Sequence, residues 1–381
     1  MTMIPRIAQL LPAAMLLTCG LSHAAEAPPK QGKTPAWLAG KPLATWFAIP
    51  GTAGAGGAPV NDYSGMAFKP ATSEIIIAAA GGHGGSNDNR VVSIDLRADA
   101  PTWVQRCAPS PERAQNVAYN PDGKPASRHT YATSLYVPSL DRVMLVGCRF
   151  TWPGGHDHPK LDGFDLAANR WDPAGTWPDV QGGYGVVADP VSGDLWTSGL
   201  CRWNPTSKAW SSPITKRARN GVRFPWAFDS KRKQLFGLNI GDGQGYGDMA
   251  VVTAVRVPVA GDASIQVAIK PGDALEQFKK DRPVYAGMDY DPTGDRFLFC
   301  NNSAKENAGR VYVVTPKEGD EWEMSILALG AGQPPPPSGG AGINNRFRYA
   351  PGLGGFVLLA NGKEDLYFLR TDGQSQGKVR K

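Results

Sequence analysis

Histidine, tyrosine and arginine are the residues of this chain whose side chains could do acid–base chemistry on an acidic substrate. Four histidines beyond residue 24 stand in short polar stretches: His83 in GGHGG, His129 in SRHTY, and His156 and His158 in GGHDH. An imidazole exchanges a proton near neutral pH, a phenol can supply one, and a guanidinium binds a carboxylate through two parallel hydrogen bonds. Whether these groups meet depends on the elements that carry them.

A hairpin pattern recurs along the chain. Each copy is a short alternating strand, a turn rich in Pro, Asp, Gly or Ser, and a second apolar strand. The copies span residues 66–78, 134–146, 185–198, 226–238, 287–300 and 347–360. Five strand-like stretches contain a tryptophan, and each either precedes a hairpin or completes a repeat. These tryptophans are Trp46, Trp103, Trp171, Trp210 and Trp322. Four strands in every stretch of roughly 45–60 residues is the spacing of a β-propeller.

The sequence therefore predicts an all-β fold, a single β-propeller of six four-stranded blades over residues 42–371. Seven blades are the alternative if the connection at 214–223 or 269–284 contains strands. The last repeat has three strands, whereas PLATWFAIP (42–50) is a Trp strand with no hairpin before it. We expect this N-terminal strand to complete the last blade, which closes the ring and leaves no open sheet edge. No helix is expected after the N-terminal segment.

The N-terminal segment has the pattern of an export signal. Arg6 precedes an apolar run that is too short to span a bilayer, and small residues suited to cleavage follow near Ala24. We expect residues 1–24 to be a signal peptide, 25–41 a flexible linker and 372–381 a disordered basic tail, in a monomeric periplasmic or extracellular protein without a transmembrane segment. Export permits disulfides, but Cys107, Cys148, Cys201 and Cys300 show no zinc-binding spacing.

The hairpins resemble kelch-type repeats. The resemblance is carried by Pro/Gly-turn hairpins such as PSLDRVMLVG (138–147), by the third strand VVSIDL (91–96) and by a Trp in the fourth strand. The chain resembles secreted bacterial kelch-type propellers of the galactose-oxidase-like superfamily, although the double glycine after the second strand survives only as Gly81-Gly82. The superfamily also implies a copper-radical oxidase as an alternative. That chemistry needs two His and two Tyr around copper and a large C-terminal domain, which this sequence does not show.

Propeller topology is expected to gather the polar residues at one mouth of the ring. Loops between the second and third strands of a blade open on the same face as the connections between blades. We predict as catalytic groups His83, His129, Tyr131 and Tyr349, and as substrate-binding groups Arg128, Arg223, Trp226, Arg346, Arg348 and Asn302. Asn302 also fits an ordinary turn former, and His156 and His158 also fit solvated loop residues. The pattern specifies no metal site and no particular cofactor.

A mouth rich in arginine and aromatic residues predicts a protein that binds a glycan, in particular an acidic polysaccharide. The alternative is a polysaccharide lyase acting on uronic-acid polymers by β-elimination. An arginine would neutralise the carboxylate, His129 or His83 would remove the C5 proton, and Tyr131 or Tyr349 would protonate the leaving oxygen. A protein-interaction module is a further alternative. The net charge of +6 comes without a Lys/Arg-rich stripe, which argues against nucleic acid as a partner.

Overall fold

The structure, a computed structural model, describes residues 33–60, 63–82, 84–218, 225–241, 251–339 and 342–372. Within these residues the chain forms 24 strands and one α-helix. The strands of the first half are β1 (Thr45–Ile49), β2 (Ala67–Lys69), β3 (Glu74–Ala78), β4 (Val91–Asp95), β5 (Trp103–Cys107), β6 (Ser134–Val137), β7 (Arg142–Thr151), β8 (His156–Asp165), β9 (Arg170–Trp171), β10 (Gly185–Ala188), β11 (Leu195–Thr197), β12 (Arg202–Asn204) and β13 (Ala209–Ser211).

The second half continues the pattern and contains the helix. Its elements are β14 (Trp226–Asp229), β15 (Gln234–Ile240), β16 (Val252–Pro258), β17 (Ile265–Ile269), α1 (Asp273–Asp281), β18 (Gly287–Asp291), β19 (Arg296–Cys300), β20 (Val311–Thr315), β21 (Glu321–Ile326), β22 (Phe347–Ala350), β23 (Gly355–Leu358) and β24 (Leu366–Arg370). Short 3-10 segments lie at Ala53–Gly57, Pro138–Leu140 and Lys305–Asn307.

The predicted hairpins are confirmed. The pairs β2–β3, β6–β7, β10–β11, β14–β15, β18–β19 and β22–β23 are each antiparallel. Side-chain hydrogen bonds explain why the turns form where they do. The Asp229 carboxylate accepts the N–H groups of Lys231 and Arg232, and Asp291 accepts those of Thr293 and Gly294. An aspartate that accepts hydrogen bonds from the chain two or three residues on stabilises a tight turn.

The sheet order explains how the chain ends meet. Four sheets have four strands each, and in one of them β1 pairs with β24 in the order β1-β24-β23-β22. The N-terminal strand therefore completes the last sheet, as the sequence predicts. The remaining sheet has eight strands, because β17 and β21 pair in parallel where Ala268 and Ile269 face Glu321 and Trp322. The sequence analysis did not predict this junction.

Apolar side chains pack between each sheet and the next one, which gives the molecule its propeller-like arrangement. Cores of this kind join successive sheets along the chain, for example Ile76 of β3 with Val143 of β7, and Phe236 of β15 with Phe297 of β19. Another core joins Ile75 of β3 to Val357 of β23, so the last sheet also packs against the first. Burying one large apolar side chain contributes roughly 1.5–3 kcal/mol relative to leaving it exposed.

The expectation of an entirely helix-free fold is wrong, because α1 occupies the connection between β17 and β18. Leu275 and Phe278 lie three residues apart on one face of α1, and both are buried. The Phe278 ring contacts Phe299 and Tyr312 at centroid distances of 5.1 Å. Good helix-forming residues and one apolar stripe are sufficient for a helix of this length when the sheet supplies the rest of the core. The 269–284 connection thus carries a helix rather than further strands.

The predicted flexible linker is packed against the last sheet in its described part. Trp37 is buried beside Phe47 and Phe368, and its indole N–H donates to the Leu96 carbonyl at 3.1 Å. The described part of this segment, residues 33–41, thus contributes Trp37 to the apolar core. The predicted signal peptide and most of the predicted tail lie outside the described residues. No helix in the described part of the chain is long and apolar enough to cross a membrane.

One turn network should make stability depend on pH. Asp295 accepts hydrogen bonds from Arg232 at 2.6 and 2.9 Å, from Lys231 at 2.5 Å and from the Tyr290 hydroxyl at 2.7 Å. These partners, Arg232 foremost, hold the pKa of Asp295 well below its usual range. A carboxylate with a depressed folded-state pKa contributes stability that is complete above about pH 5 and declines as the pH falls through and below about 4, its unfolded-state pKa.

We therefore expect Asp295→Asn to lower the free energy of unfolding by about 1 kcal/mol at pH 7, and by less at pH 3. Asparagine suits the position because residue 295 has φ 49°, a left-handed value that Asn tolerates. Urea unfolding at both pH values measures the difference. Asp262→Asn, at an exposed aspartate paired only with Lys216, is the control. A deficit for Asp295→Asn that is equal at both pH values would contradict this account.

Candidate functional site

The six innermost strands run side by side around a central axis. Contacts join β2 to β6, β6 to β10, β10 to β14, β14 to β18 and β18 to β22. The Met66 N–H donates to the Asn345 side-chain oxygen at 2.9 Å, which links the starts of β22 and β2 and closes the circle. Residues that precede these strands meet at one end of the axis, and residues that follow them meet at the other.

The first of these ends is defined by Tyr63, His129, Tyr131, Tyr184 and Tyr285, and we call it the tyrosine end. The Tyr63 ring lies 4.9 Å from the rings of His129 and Tyr285 and 5.2 Å from that of Tyr131, centroid to centroid. Tyr131 in turn lies 6.4 Å from Tyr184. Four different connections between sheets thus bring their aromatic side chains into one cluster.

The cluster contains a polar contact between two of the predicted catalytic groups. His129 Nδ1 lies 3.4 Å from the Tyr131 hydroxyl, and the two rings meet edge to face. His129 is buried and Tyr131 nearly so, whereas Tyr63 and Tyr285 are half-buried. The inner pair is therefore screened from bulk water by an outer rim of tyrosines.

The backbone is strained at this end. Tyr63, Tyr131, Phe150 and Tyr285 have φ values of 61°, 38°, 48° and 53°, in the left-handed region that large L side chains avoid. Each such residue costs on the order of 1–3 kcal/mol, and such residues concentrate at functional sites. Four strained residues therefore lie together in one aromatic cluster.

Arg149 supplies a positive charge beside the aromatic cluster. Its guanidinium lies 5.1 Å from the Phe150 ring centroid and 5.2 Å from that of Tyr184. It pairs with the exposed Asp157 at 2.7 Å, and its side chain is 28% exposed. Its Nε is buried and has no hydrogen-bond partner among the described residues. A buried donor without a partner is rare in folded proteins and commonly marks a place where water or a ligand binds.

Gly82 brings the loop after β3 against His129. A β-carbon at position 82, which has φ 86°, would collide with the imidazole and with the backbone of Arg128 and His129. Only glycine fits so close an approach at this backbone angle. His83, a predicted catalytic residue, is next in sequence but lies outside the described residues, as does Arg223. Both stay predictions.

Two of the predicted substrate-binding arginines, Arg128 and Arg346, donate hydrogen bonds to other groups of the protein. Arg128 pairs with Asp162 at 2.8 Å and donates to the carbonyls of Ala126 and Ala118. Arg346 is also buried, and it donates only to backbone carbonyls, those of Gly342, Ile343, Leu359 and Ala360. Burial lowers the pKa of Arg346 to about 10, so it remains a cation at neutral pH.

Trp226 and Asn302 are buried as well. The Trp226 ring packs against Gly237 and lines a cavity of about 10 Å³ on the axis, room for about one water molecule. Asn302 donates from Nδ2 to the Pro336 carbonyl and accepts the Gly309 N–H, which ties together two loops. The neighbouring Asn301 is buried, and neither atom of its amide has a partner among the described residues. A buried water molecule bound there would explain this.

The remaining predicted residues, Arg348 and Tyr349, lie toward the opposite end of the axis. Both line a cavity with Pro70, Pro190, Pro292 and Pro351, the prolines of four turns, and we call this region the proline end. The Tyr349 hydroxyl donates to Asp372 at 2.6 Å and lies 3.2 Å from the Thr293 hydroxyl. Burial, followed by the hydrogen bond to Asp372, raises the pKa of Tyr349. The structure therefore brings together His129 and Tyr131 but places Tyr349 apart from them.

The sequence analysis did not include Tyr63, Tyr285 and Phe150 in the site. A signal for two of them is visible in the sequence, because Tyr63 begins YSGM and Tyr285 begins YAGM, each directly before an innermost strand. The same position holds Tyr131 and Tyr184 in two other repeats. A tyrosine kept at one place in repeats that otherwise differ would have pointed to the axis.

The structure also bears on metal ligation and on disulfides. The part of the chain that the structure describes contains no group of three or more His, Cys, Asp or Glu placed to hold a metal ion. His156 is exposed, and burial lowers the pKa of His158, which is therefore neutral at pH 7. The four described cysteines are free thiols, and burial raises the pKa of Cys148 to about 11.

Comparisons with known proteins yield structural neighbours only. No protein-family model and no curated protein matches the chain. The chain is similar to a structure titled "Structure of YjhT", with a TM-score of 0.49 and 11% identity over 86% of this chain and 97% of that one. It is similar to a chain of the mitotic checkpoint complex at a TM-score of 0.41 and 8% identity, covering 97% of this chain and 100% of the other.

A third neighbour is the GH74 xyloglucanase from Xanthomonas campestris, with a TM-score of 0.39 and 14% identity over 75% of this chain and 50% of that one. These similarities are too distant to describe the fold, which is defined instead by the sheet order and by the apolar cores between the sheets.

Proposed function

We propose that this protein binds an acidic polysaccharide at the tyrosine end. The observation that carries the proposal is the strained aromatic cluster with Arg149 beside it. We expect the sugar rings to contact the half-buried aromatic side chains of this end, Tyr63, Phe150 and Tyr285. The Arg149 guanidinium, whose side chain is 28% exposed, supplies the positive charge and N–H donors that a uronate carboxylate or a sulfate requires. Aromatic faces and one guanidinium are the groups that such a polymer requires.

The site chemistry fits a charged sugar better than a neutral one. Arg149 already has Asp157 as a counter-ion, but Asp157 is 42% exposed and water screens its attraction. A ligand carboxylate that approaches the exposed part of the guanidinium adds a second partner. We expect the ligand to share the guanidinium with Asp157 rather than to displace it, since the two acceptors use different N–H groups.

A second candidate function, β-elimination on the bound uronate, is favoured by the proximity of His129 and Tyr131. In this reaction His129 takes the proton from C5, the C4–O bond breaks as the C4–C5 double bond forms, and Tyr131 protonates the leaving oxygen. Arg149 would stabilise the negative charge that develops on the carboxylate. The distance of 3.4 Å between His129 Nδ1 and the Tyr131 hydroxyl also allows the proton to return from base to acid after each cycle.

We further propose the finer description of the molecule that the sequence predicts. Dividing the eight-stranded sheet between β17 and β21 gives six four-stranded blades of the kelch type. The export signal at residues 1–24 would deliver the protein to the periplasm or beyond, where acidic polysaccharides of cell envelopes occur. Secretion of the native protein with cleavage near Ala24, measured by N-terminal sequencing, tests this part separately.

The binding test compares polygalacturonate, alginate and hyaluronate with neutral dextran in affinity electrophoresis or calorimetry. We expect wild type to bind at least one acidic polymer and not dextran. Arg149→Gln and Tyr285→Asn should each weaken binding at least about tenfold, equivalent to about 1.4 kcal/mol. Asparagine is chosen at 285 because it tolerates the φ of 53°.

Arg256→Gln is the matched control for Arg149→Gln. Arg256 is 22% exposed and pairs with a single aspartate, Asp320, at 2.6 Å, but it lies on an outer strand away from the axis. The Arg256→Gln variant should bind the acidic polymer as tightly as wild type does. Equal binding by all three variants would exclude the tyrosine end as the binding site. Absorbance of unsaturated sugar ends, present in wild type and lost in His129→Gln with binding retained, separates the lyase from the binding protein.

A further inference from the structure

The proline end contains a cavity that the proposed function does not use. Its volume is about 140 Å³, and its wall combines the apolar residues Phe68, Val187 and Phe228 with the charged residues Asp289 and Arg348. A cavity of about this size in an engineered protein core admits one benzene molecule. One six-membered ring is therefore about the largest unit that it encloses.

Arg348 is the unusual group of this wall. Its side chain is 22% exposed, and its Nε lies 3.1 Å from Asp289 Oδ2. The N–H does not point at that oxygen, however, and Nε is buried without a hydrogen-bond partner. No hydrogen bond to the Arg348 guanidinium occurs among the described residues, so the cation is held by charge alone and its donors are unused.

Asp289 is oriented by two backbone N–H groups rather than by Arg348. One oxygen accepts the Tyr290 N–H at 3.0 Å, and the other accepts the Tyr349 N–H at 2.9 Å. The aspartate thus links the innermost strands β18 and β22. It forms an ion pair with Arg348, but it accepts no hydrogen bond from the guanidinium. A partly apolar pocket with one arginine fork available is suited to a carboxylate carried on a ring.

We propose that the cavity at the proline end binds a small ring compound that bears one carboxylate. The carboxylate pairs with Arg348, and the ring lies against Phe68, Phe228 and the prolines of the rim. A single uronic acid and an aromatic acid share this chemistry. The site is separate from the tyrosine end, because the axis between them narrows to the cavity of about 10 Å³ beside Trp226.

The test uses the full chain with galacturonate and benzoate as probes and their uncharged counterparts, galactose and benzyl alcohol, as references. Calorimetry should show binding of at least one acid and of neither neutral compound. Arg348→Gln should weaken it at least tenfold. Ala188→Leu, which keeps the arginine but fills the cavity that Ala188 lines, should abolish it. Thermal unfolding shows that both variants fold.

Arg296→Gln is the matched control at the same end of the axis. Arg296 is 25% exposed, but its Nε is hydrogen-bonded to Asp291 at 2.9 Å, so it has no comparable donor to offer. This variant should bind the acid as wild type does, and so should Tyr285→Asn at the tyrosine end. Binding of galacturonate alone or of benzoate alone identifies the source of the carboxylate. Binding of neither acid, or equal binding by wild type, Arg348→Gln and Ala188→Leu, would overturn the proposal.

Discussion

Replacing Arg346 by methionine should destabilise this protein by about 4 kcal/mol or more, a large share of the 5–15 kcal/mol typical of a folded domain. The reason is the number of buried carbonyls that depend on one side chain. Nη1 donates to Leu359 and Ala360, while Nε and Nη2 donate to Ile343 and Gly342. Hydrogen bonds to charged groups contribute about 1.5–3 kcal/mol each, and a carbonyl left buried without a donor costs a similar amount.

The measurement is urea unfolding of Arg346→Met and of Arg348→Met, two residues further along the chain. Arg348 makes no hydrogen bond to a described residue, so its removal should change the free energy of unfolding by less than about 1 kcal/mol. Arg346→Lys should fall between the two, because an ammonium keeps the charge but has three donors in place of five. A small effect of Arg346→Met, together with loss of glycan binding, would instead support the role that the sequence analysis assigned to it.

Much of the fold could be predicted from the sequence because its signal is local. Alternating apolar residues on both sides of a Pro/Asp/Gly turn specify a hairpin wherever they occur. The closing role of β1 was also predictable, since a Trp strand without a hairpin must find a partner sheet. The parallel junction between β17 and β21 was not, because it depends on how two neighbouring sheets lie in space. Helix α1 escaped detection because only Leu275 and Phe278 show its apolar face.

The site was harder to predict, and the physical reasons differ between residues. His129 and Tyr131 were placed together because they are two residues apart. Tyr63 and Tyr285 join them through left-handed backbone angles that residue type does not reveal. Arg348 is the second residue of β22, whose first and last residues lie only about 10 Å apart, so the end of the axis that its side chain reaches depends on the register.

Arginine type alone also does not distinguish a residue that binds a ligand from one that holds the protein together. The partner of Arg128 is Asp162, 34 residues later, and the partners of Arg346 are backbone atoms. Neither kind of partner can be identified from the residue types alone. By contrast, the Arg149 Nε that lacks a described partner can be identified only from the structure around it.

Arg128→Met should destabilise the protein by about 3–5 kcal/mol, because it leaves the carboxylate of Asp162 buried without its cation. Asp162 is 6% exposed and otherwise accepts only the Tyr119 hydroxyl, at 2.8 Å, from a side chain. Arg128→Met/Asp162→Asn removes both charges and keeps an oxygen for Tyr119. The double variant should be more stable than the sum of the two single changes predicts, by about 2 kcal/mol.

A double-mutant cycle in urea measures this coupling, and the exposed pair of Lys160 and Asp179, at 2.8 Å, provides the reference cycle. Exposed pairs contribute less than about 1 kcal/mol. Equal couplings in the two cycles would show that Arg128 does not depend on Asp162, and that its charge serves another partner. A large coupling with unchanged glycan binding would assign Arg128 to positioning: it holds the strand start from which His129 reaches the axis, while Arg149 is left as the cation that meets the ligand.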